Sequence, residues 1–210
     1  MKHPTSQDGL FLQLAEVGQI AVERGFVLAS GGNLSARLPG SDTFVVTGAG
    51  TWLDRLTPED FAVMSLDGEV ISGARPSSEW KLHQRTYQVR SDVNSVIHMH
   101  PQHAVLLEAL GRKIRLITLD HAFYVKSYGT VPYAANGSDA LADTTAEQAR
   151  LHNCVVQANH GCSTHAEDIT MAFRRILNLE EAATASYRAL LLGDTDTAFP
   201  ADGFAALHHA

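Results

Sequence analysis

Residues 93–100, VNSVIHMH, set an alternating, β-branched run between two stretches patterned as helices. The preceding stretch, SSEWKLHQRTYQVR, follows Pro76 and begins with capping side chains and an acid, the groups that suit the positive end of a helix dipole. The stretch after it, PQHAVLLEALG, opens with Pro101, where a missing backbone N–H does no harm. A strand between two such helices needs both to cover it, which calls for a sheet with helices packed on its faces.

The rest of the chain follows the same grammar. Leu10, Phe11, Leu14, Val17, Ala21 and Val22 recur at helical spacing until Gly25 stops them. ASGGNLSARLPGSDTFVVTGAG then alternates glycine-rich turns with short β segments around Leu34 and Phe44 to Val46. FAVMSLDGEVISG reads as a hairpin turning at Asp67-Gly68. IRLITL, the YGTVPY region and NCVVQA read as further strands, and a helix spans about Ser138 to Leu151. AEDITMAFRRILNLEEAATASYRALLLG is a long helix closed by Gly193. Residues from about 195 to 210, including His208 and His209, read as a tail. The pattern gives α/β or α+β with a mainly antiparallel or mixed sheet and helices on both faces.

At 210 residues, 45% of them hydrophobic and 19% charged, the chain reads as one domain able to bury a full core. A net charge of −7 argues against nucleic acid or an anionic membrane as partner, while leaving room for a local phosphate pocket. Cys154 and Cys162 make no disulfide framework, so reduced thiols and a cytoplasmic location are expected. Gln13, Glu16, Gln19 and Glu23 interrupt the N-terminal apolar positions, giving a surface helix rather than a signal segment or membrane span.

On a strand, residues two apart share a face, so His98 and His100 project together while Met99 faces away. Two imidazoles on one face make half of a tetrahedral metal site, or else a hydrogen-bonded pair. His160, where NCVVQA runs out into a glycine turn, is a third candidate, with a turn residue as its alternative. Glu79 is a fourth, at the helix start before the HMH strand, and His83 lies one turn further on to support it. His103, past Pro101, should face away and be structural.

SGGNLS and TGAG lack the continuation of a nucleotide-binding loop. They offer backbone N–H groups and the small polar side chains of Asn33, Ser35 and Thr47, and Ser77-Ser78 adds more at a helix N-terminus. Together they suit one small phosphate, or are three unrelated turns.

These residues resemble the class II aldolase/adducin family. GGNLSAR, TGAG, PSSEWKLH, VIHMHP and NHG stand in that family's order and spacing over nearly the whole chain. The resemblance implies a single-domain α/β/α three-layer fold over residues 1–210, usually assembled as a homotetramer with active sites at subunit contacts. It implies a divalent metal, Zn2+ with Mn2+ or Co2+ as alternatives, held by His98, His100, His160 and Glu79. Glu79 doubles as the acid/base, and Gly32, Asn33, Thr47, Gly48, Ser77 and Ser78 would hold a substrate phosphate. The implied activity is a zinc-dependent aldolase, an aldehyde-lyase cleaving or forming a C–C bond in a small ketose phosphate through an enediolate, giving dihydroxyacetone phosphate and an aldehyde.

The same family includes a sugar-phosphate 4-epimerase and oxo-tetronate-phosphate decarboxylases, which differ in the proton donor. Here that stretch is LDHAFYVKSYGTVPYA, with Asp120, His121, Tyr124, Tyr128 and Tyr133 as candidates. Phe123 after His-Ala departs from the epimerase pattern, and PSSE rather than a lysine-bearing variant favours the aldolases. Non-enzymatic adducin-like relatives are disfavoured by the intact histidines and Glu79. A cupin would need a glutamate nearer the HxH pair than Glu108, and an amidohydrolase a longer barrel.

Overall fold

A computed structural model of the chain describes residues 4–208. Its strands are β1 Asn33–Ala36, β2 Thr43–Thr47, β3 Phe61–Ser65, β4 Val70–Gly73, β5 Ser95–Met99, β6 Gly129–Val131, β7 Cys154–Gln157 and β8 Gly161–Ala166. They form one sheet in the order β4-β3-β2-β1-β5-β8-β7-β6, antiparallel at every junction except the parallel β6–β7 pair. The helices are α1 Gln7–Glu23, α2 Trp80–Val89, α3 Gln102–Ala109, α4 Asp139–Ala149, α5 Ile169–Leu191 and α6 Ala201–His208.

The period of two along β5 divides the layers. Ile97 and Met99 enter a core with Leu14 and Val17 of α1, Leu107 of α3 and Ile176 and Leu179 of α5. Val96 faces the other way, into a smaller core with Phe44, Val46, Met64, and Leu82 and Tyr87 of α2. Helix α4 lies beside α2, joined to it at the surface by Lys81–Asp139 and Arg85–Asp143, both 2.9 Å. The result is helices on both faces of a mixed sheet, the three-layer arrangement the sequence implied. Leu14 and Ile97 are fully buried, and truncating either to alanine would cost about 2–5 kcal/mol.

The helix ends follow local chemistry. Ser6, Ser138 and Asp168 each accept a backbone N–H in the first turns of α1, α4 and α5, satisfying donors that a helix cannot satisfy itself. Gly25 and Gly193 adopt positive φ just past α1 and α5, where a left-handed residue ends the helix.

Three segments depart from the sequence reading. IRLITL forms no strand, because side chains take its backbone donors: the Ile114 N–H goes to the Tyr128 hydroxyl, Arg115 to Ser186, and Ile117 and Thr118 to His121 Nδ1. The chain then enters a π-helical turn at His121–Val125. Strand β8 was hidden by its polar content, since Ser163, Thr164 and His165 are buried with partners at His98, the Ala172 carbonyl and the His152 carbonyl. The expected tail contains α6; His209 and the side chain of His208 lie outside the described residues. Both cysteines are free and buried, and no helix among the described residues is long and apolar enough to cross a membrane.

Candidate metal centre

Three histidines converge because two neighbouring strands end beside each other. The alternation of β5 turns His98, fully buried, toward the α2 side, and His100 follows at the strand end. Strand β8 pairs antiparallel with β5, setting Cys162 opposite Met99, so the tight turn joining β7 to β8 delivers His160 to the same end. Asn159 in that turn has φ +55, and the His160 N–H closes it on the Gln157 carbonyl at 3.1 Å. The ring centroids lie 4.9 to 5.3 Å apart, and one ring nitrogen from each falls within 4.8 Å of the others.

Glu79 completes the cluster from the residue that opens α2. Its Oε2 stands 3.4 Å from His98 Nε2 and its Oε1 3.4 Å from His160 Nε2. The carboxylate is 4% exposed. Ser77 Oγ accepts the Glu79 N–H at 3.3 Å, so the PSSE turn itself fixes where the side chain enters.

The orientation of the His98 ring is set from its back side. Nδ1 meets Ser163 Oγ at 3.1 Å, which turns Nε2 toward the cluster. Gln157 Nε2 donates to the same Ser163 oxygen at 2.7 Å and holds it in place. Burial, reinforced by the neighbouring imidazoles His100 and His160, holds His98 well below the usual histidine range. Burial and then His160 lower His100 as well. His98 Nε2 faces His100 Nε2 at 3.3 Å.

This donor set fits a divalent metal. Imidazole nitrogens and one carboxylate are the ligands zinc favours. Glu79 Oε1 is buried without a hydrogen-bond partner, a costly state that a cation relieves.

The glycine loops meet beside this cluster. Asn33 is paired with His98 across β1 and β5, Gly48 bridges Pro76, and the Ser77 N–H donates to the Thr47 carbonyl at 3.0 Å. The side chains are less free than the sequence suggested. Thr47 Oγ1 accepts the Leu34 N–H at 3.1 Å, and the Gly48 N–H donates to the Asp60 carbonyl at 2.7 Å. Asn33 and Ser35 are buried with inward partners, whereas Gly32 is half-buried and Ser78 exposed.

His83 sits behind the centre, linked to Glu79 through Asn33. Full burial pushes it down to about 3, aided by nearby His98 and opposed by Glu79, so it stays neutral. Tyr87, missed as a functional residue, continues the line; Glu79, His83 and Tyr87 recur every fourth residue, a polar helical stripe visible in the sequence. His103 stands outside the cluster, its Nδ1 at 2.8 Å from Glu180. Among the other candidates, His121 pairs with Glu181 of α5, Tyr128 accepts from Ile114, Tyr124 meets Phe123 edge to face, and Asp120 and Tyr133 are exposed. A groove of about 540 Å³ opens beside His100 and His160, walled by Val105 and Leu106 of α3 and by Tyr187.

Residues 12–187 match the family profile described as Class II Aldolase and Adducin N-terminal domain. The chain is 32% identical over 175 residues to an L-fuculose phosphate aldolase of Methanococcus maripaludis, covering 83% of this chain and 94% of that protein. It is 30% identical over 183 residues to a 5-deoxy-D-ribulose 1-phosphate aldolase of Bacillus thuringiensis, covering 87% and 86% of the two. Among solved structures, YgbL of Klebsiella pneumoniae, described as a putative aldolase/epimerase/decarboxylase, superposes with a TM-score of 0.89 at 27% identity, over 98% of this chain and 100% of that one.

Proposed function

Because the chain belongs to the class II aldolase and adducin family and is an aldolase-type enzyme of it, we propose that it cleaves and forms a C–C bond in a small ketose 1-phosphate, with dihydroxyacetone phosphate and an aldehyde as the other side of the reaction. The observation that carries this reading is the juxtaposition of the three imidazoles with Glu79, whose Oε1 is buried and free of hydrogen bonds. His98, His100 and His160 would hold the metal, zinc by the donor set, with Glu79 joining them when no substrate is present. Bound there, a divalent ion supplies Lewis acidity toward the substrate carbonyl and steadies the negative charge that develops when the C–C bond breaks.

The chain's own groups do the rest. In the cleavage direction the hydroxyl on the carbon that becomes the aldehyde gives up its proton to solvent, and the electron pair of the broken bond passes into the ketone as an enediolate while the aldehyde departs. Glu79 then returns a proton to the carbon left behind, and in the synthetic direction it removes that proton. Its burial excludes bulk water from the proton in transit. We place the substrate phosphate at the loops carrying Gly32, Asn33, Thr47, Gly48, Ser77 and Ser78, with the exposed Ser78 and the α2 N-terminus as direct donors and the buried members as the frame. The groove beside His100 and His160 has room for the aldehyde half.

The reading extends to a cytoplasmic homotetramer with sites at subunit contacts, supported by the exposed apolar side chains of Leu28, Leu110, Leu119 and Leu151. Sedimentation analysis tests that state. The activity is tested by NMR of dihydroxyacetone phosphate in D2O with the zinc-loaded protein. Stereospecific loss of one carbinol proton beside the carbonyl supports the reading; no exchange with metal bound overturns it in favour of decarboxylation or epimerisation.

A further inference from the structure

Behind the three histidines a single hydrogen-bonded chain of side chains ends on Glu79. Asn33 Nδ2 donates to Glu79 Oε2 at 2.9 Å, and Asn33 Oδ1 meets His83 Nε2 at 2.5 Å. His83 Nδ1 meets Ser35 Oγ at 2.7 Å, and Ser35 Oγ meets the Tyr87 hydroxyl at 2.7 Å. None of these five residues is more than 4% exposed. Burying so many polar groups is costly unless each finds its partner, and every contact along this chain is made, Glu79 Oε1 alone being left over.

The direction of every bond follows from one end. An ionised carboxylate only accepts, so the Asn33 amide nitrogen must face it and the Asn33 oxygen faces His83. His83 Nε2 therefore carries the hydrogen, which leaves Nδ1 to accept from Ser35. The one Ser35 proton is then used, so Tyr87 donates to Ser35, while the Val96 amide bonds the Tyr87 oxygen. All donors run toward Glu79.

We propose that Tyr87, Ser35, His83 and Asn33 form a positioning relay that holds Glu79 Oε2 as an acceptor and leaves Oε1, beside His160, as the working oxygen. The proposal rests on the acid/base reading of Glu79. Without Asn33 the carboxylate could rotate and exchange its two oxygens among three imidazoles. The relay also spans two layers: Asn33 and Ser35 come from β1, and His83 and Tyr87 from α2. Sheet and helix are thereby locked together at the one carboxylate that moves the proton. Both ends of the Asn33 amide are engaged within the protein, which assigns Asn33 to Glu79 rather than to direct contact with substrate.

Three variants test it. Asn33→Asp keeps shape but offers Glu79 an acceptor in place of a donor; His83→Leu breaks the chain; His83→Gln retains a donor and an acceptor. In crystal structures of the metal-free protein, Glu79 is expected to turn away from its wild-type orientation in Asn33→Asp and His83→Leu and to keep it in His83→Gln. An unmoved carboxylate in the first two overturns the proposal whatever the substrate proves to be. In the dihydroxyacetone phosphate exchange assay with zinc loaded, the first two should lose about 10–100-fold in kcat with KM and metal content unchanged, and His83→Gln should recover most of it. A rise in KM at unchanged kcat for Asn33→Asp would assign Asn33 to substrate binding and overturn the relay. If the wild type exchanges nothing, the functional reading fails, and the crystal structures alone decide the relay. The isosteric aspartate keeps the test open if His83→Leu does not fold.

Discussion

Gly161 lies so close to His98 that a Cβ added there would fall 2.9 Å from the imidazole Cε1, and also 2.7 Å from His100 Cδ2 and 2.6 Å from the Met99 carbonyl. The residue after His160 is thus glycine for want of space, since its backbone needs no positive φ. Gly161→Ala should push β8 off β5 at the candidate metal centre, at about 1–3 kcal/mol for overpacking. The expected outcome is a lower Tm together with weaker zinc binding by calorimetry.

Metal loss should register in stability as well as in turnover. A ligand that binds only the folded chain stabilises it by about 2.7 kcal/mol at a hundred times its Kd. Treatment with a chelator should therefore lower Tm, and adding zinc should restore it. His98→Ala removes the most buried of the proposed ligands. It should show no metal by elemental analysis and no Tm response to zinc.

Glu79→Gln keeps the shape of the side chain and removes its basicity. Turnover should fall by about 10²–10⁴-fold, the usual contribution of a positioned acid/base. Metal content and circular dichroism should stay near wild type. Turnover equal to wild type in the folded variant would refute the role.

Acid should unfold the protein through its buried histidines. His83 is pushed down to about 3 and His165 to about 4, each chiefly by burial, from an ordinary value of 6.5. The unfolded chain takes these protons below 6.5 while the folded one refuses them, so stability is full above that pH and falls as pH drops. Each residue contributes a loss of about 1.4 kcal/mol per pH unit. The His165 share levels off near 4 and the His83 share near 3. Urea midpoints measured from pH 7 down to 4.5 should decline steadily, and His165→Asn should flatten part of the slope.

The sequence by itself determined whatever depends on local pattern. Alternation in VNSVIHMH fixed that His98 shares a face with His100 and not with Met99, because successive strand side chains must oppose one another. The glycines after α1 and α5, and the helices flanking β5, were legible for the same reason. The family motifs named Glu79 and His160 as partners, and the structure places both beside the HMH pair. Tertiary structure decided what depends on residues distant in the chain. Strand β8 was unreadable because Ser163, Thr164 and His165 are polar side chains that become buried only through partners supplied by other elements. IRLITL had the composition of a strand, yet Tyr128, Ser186 and His121 took the backbone donors a neighbouring strand would have used. The inward turn of Asn33 and Ser35 likewise required α2 to bring His83 and Tyr87 against β1. A side chain's hydrogen-bond partner is a long-range fact, and only the packed chain contains it.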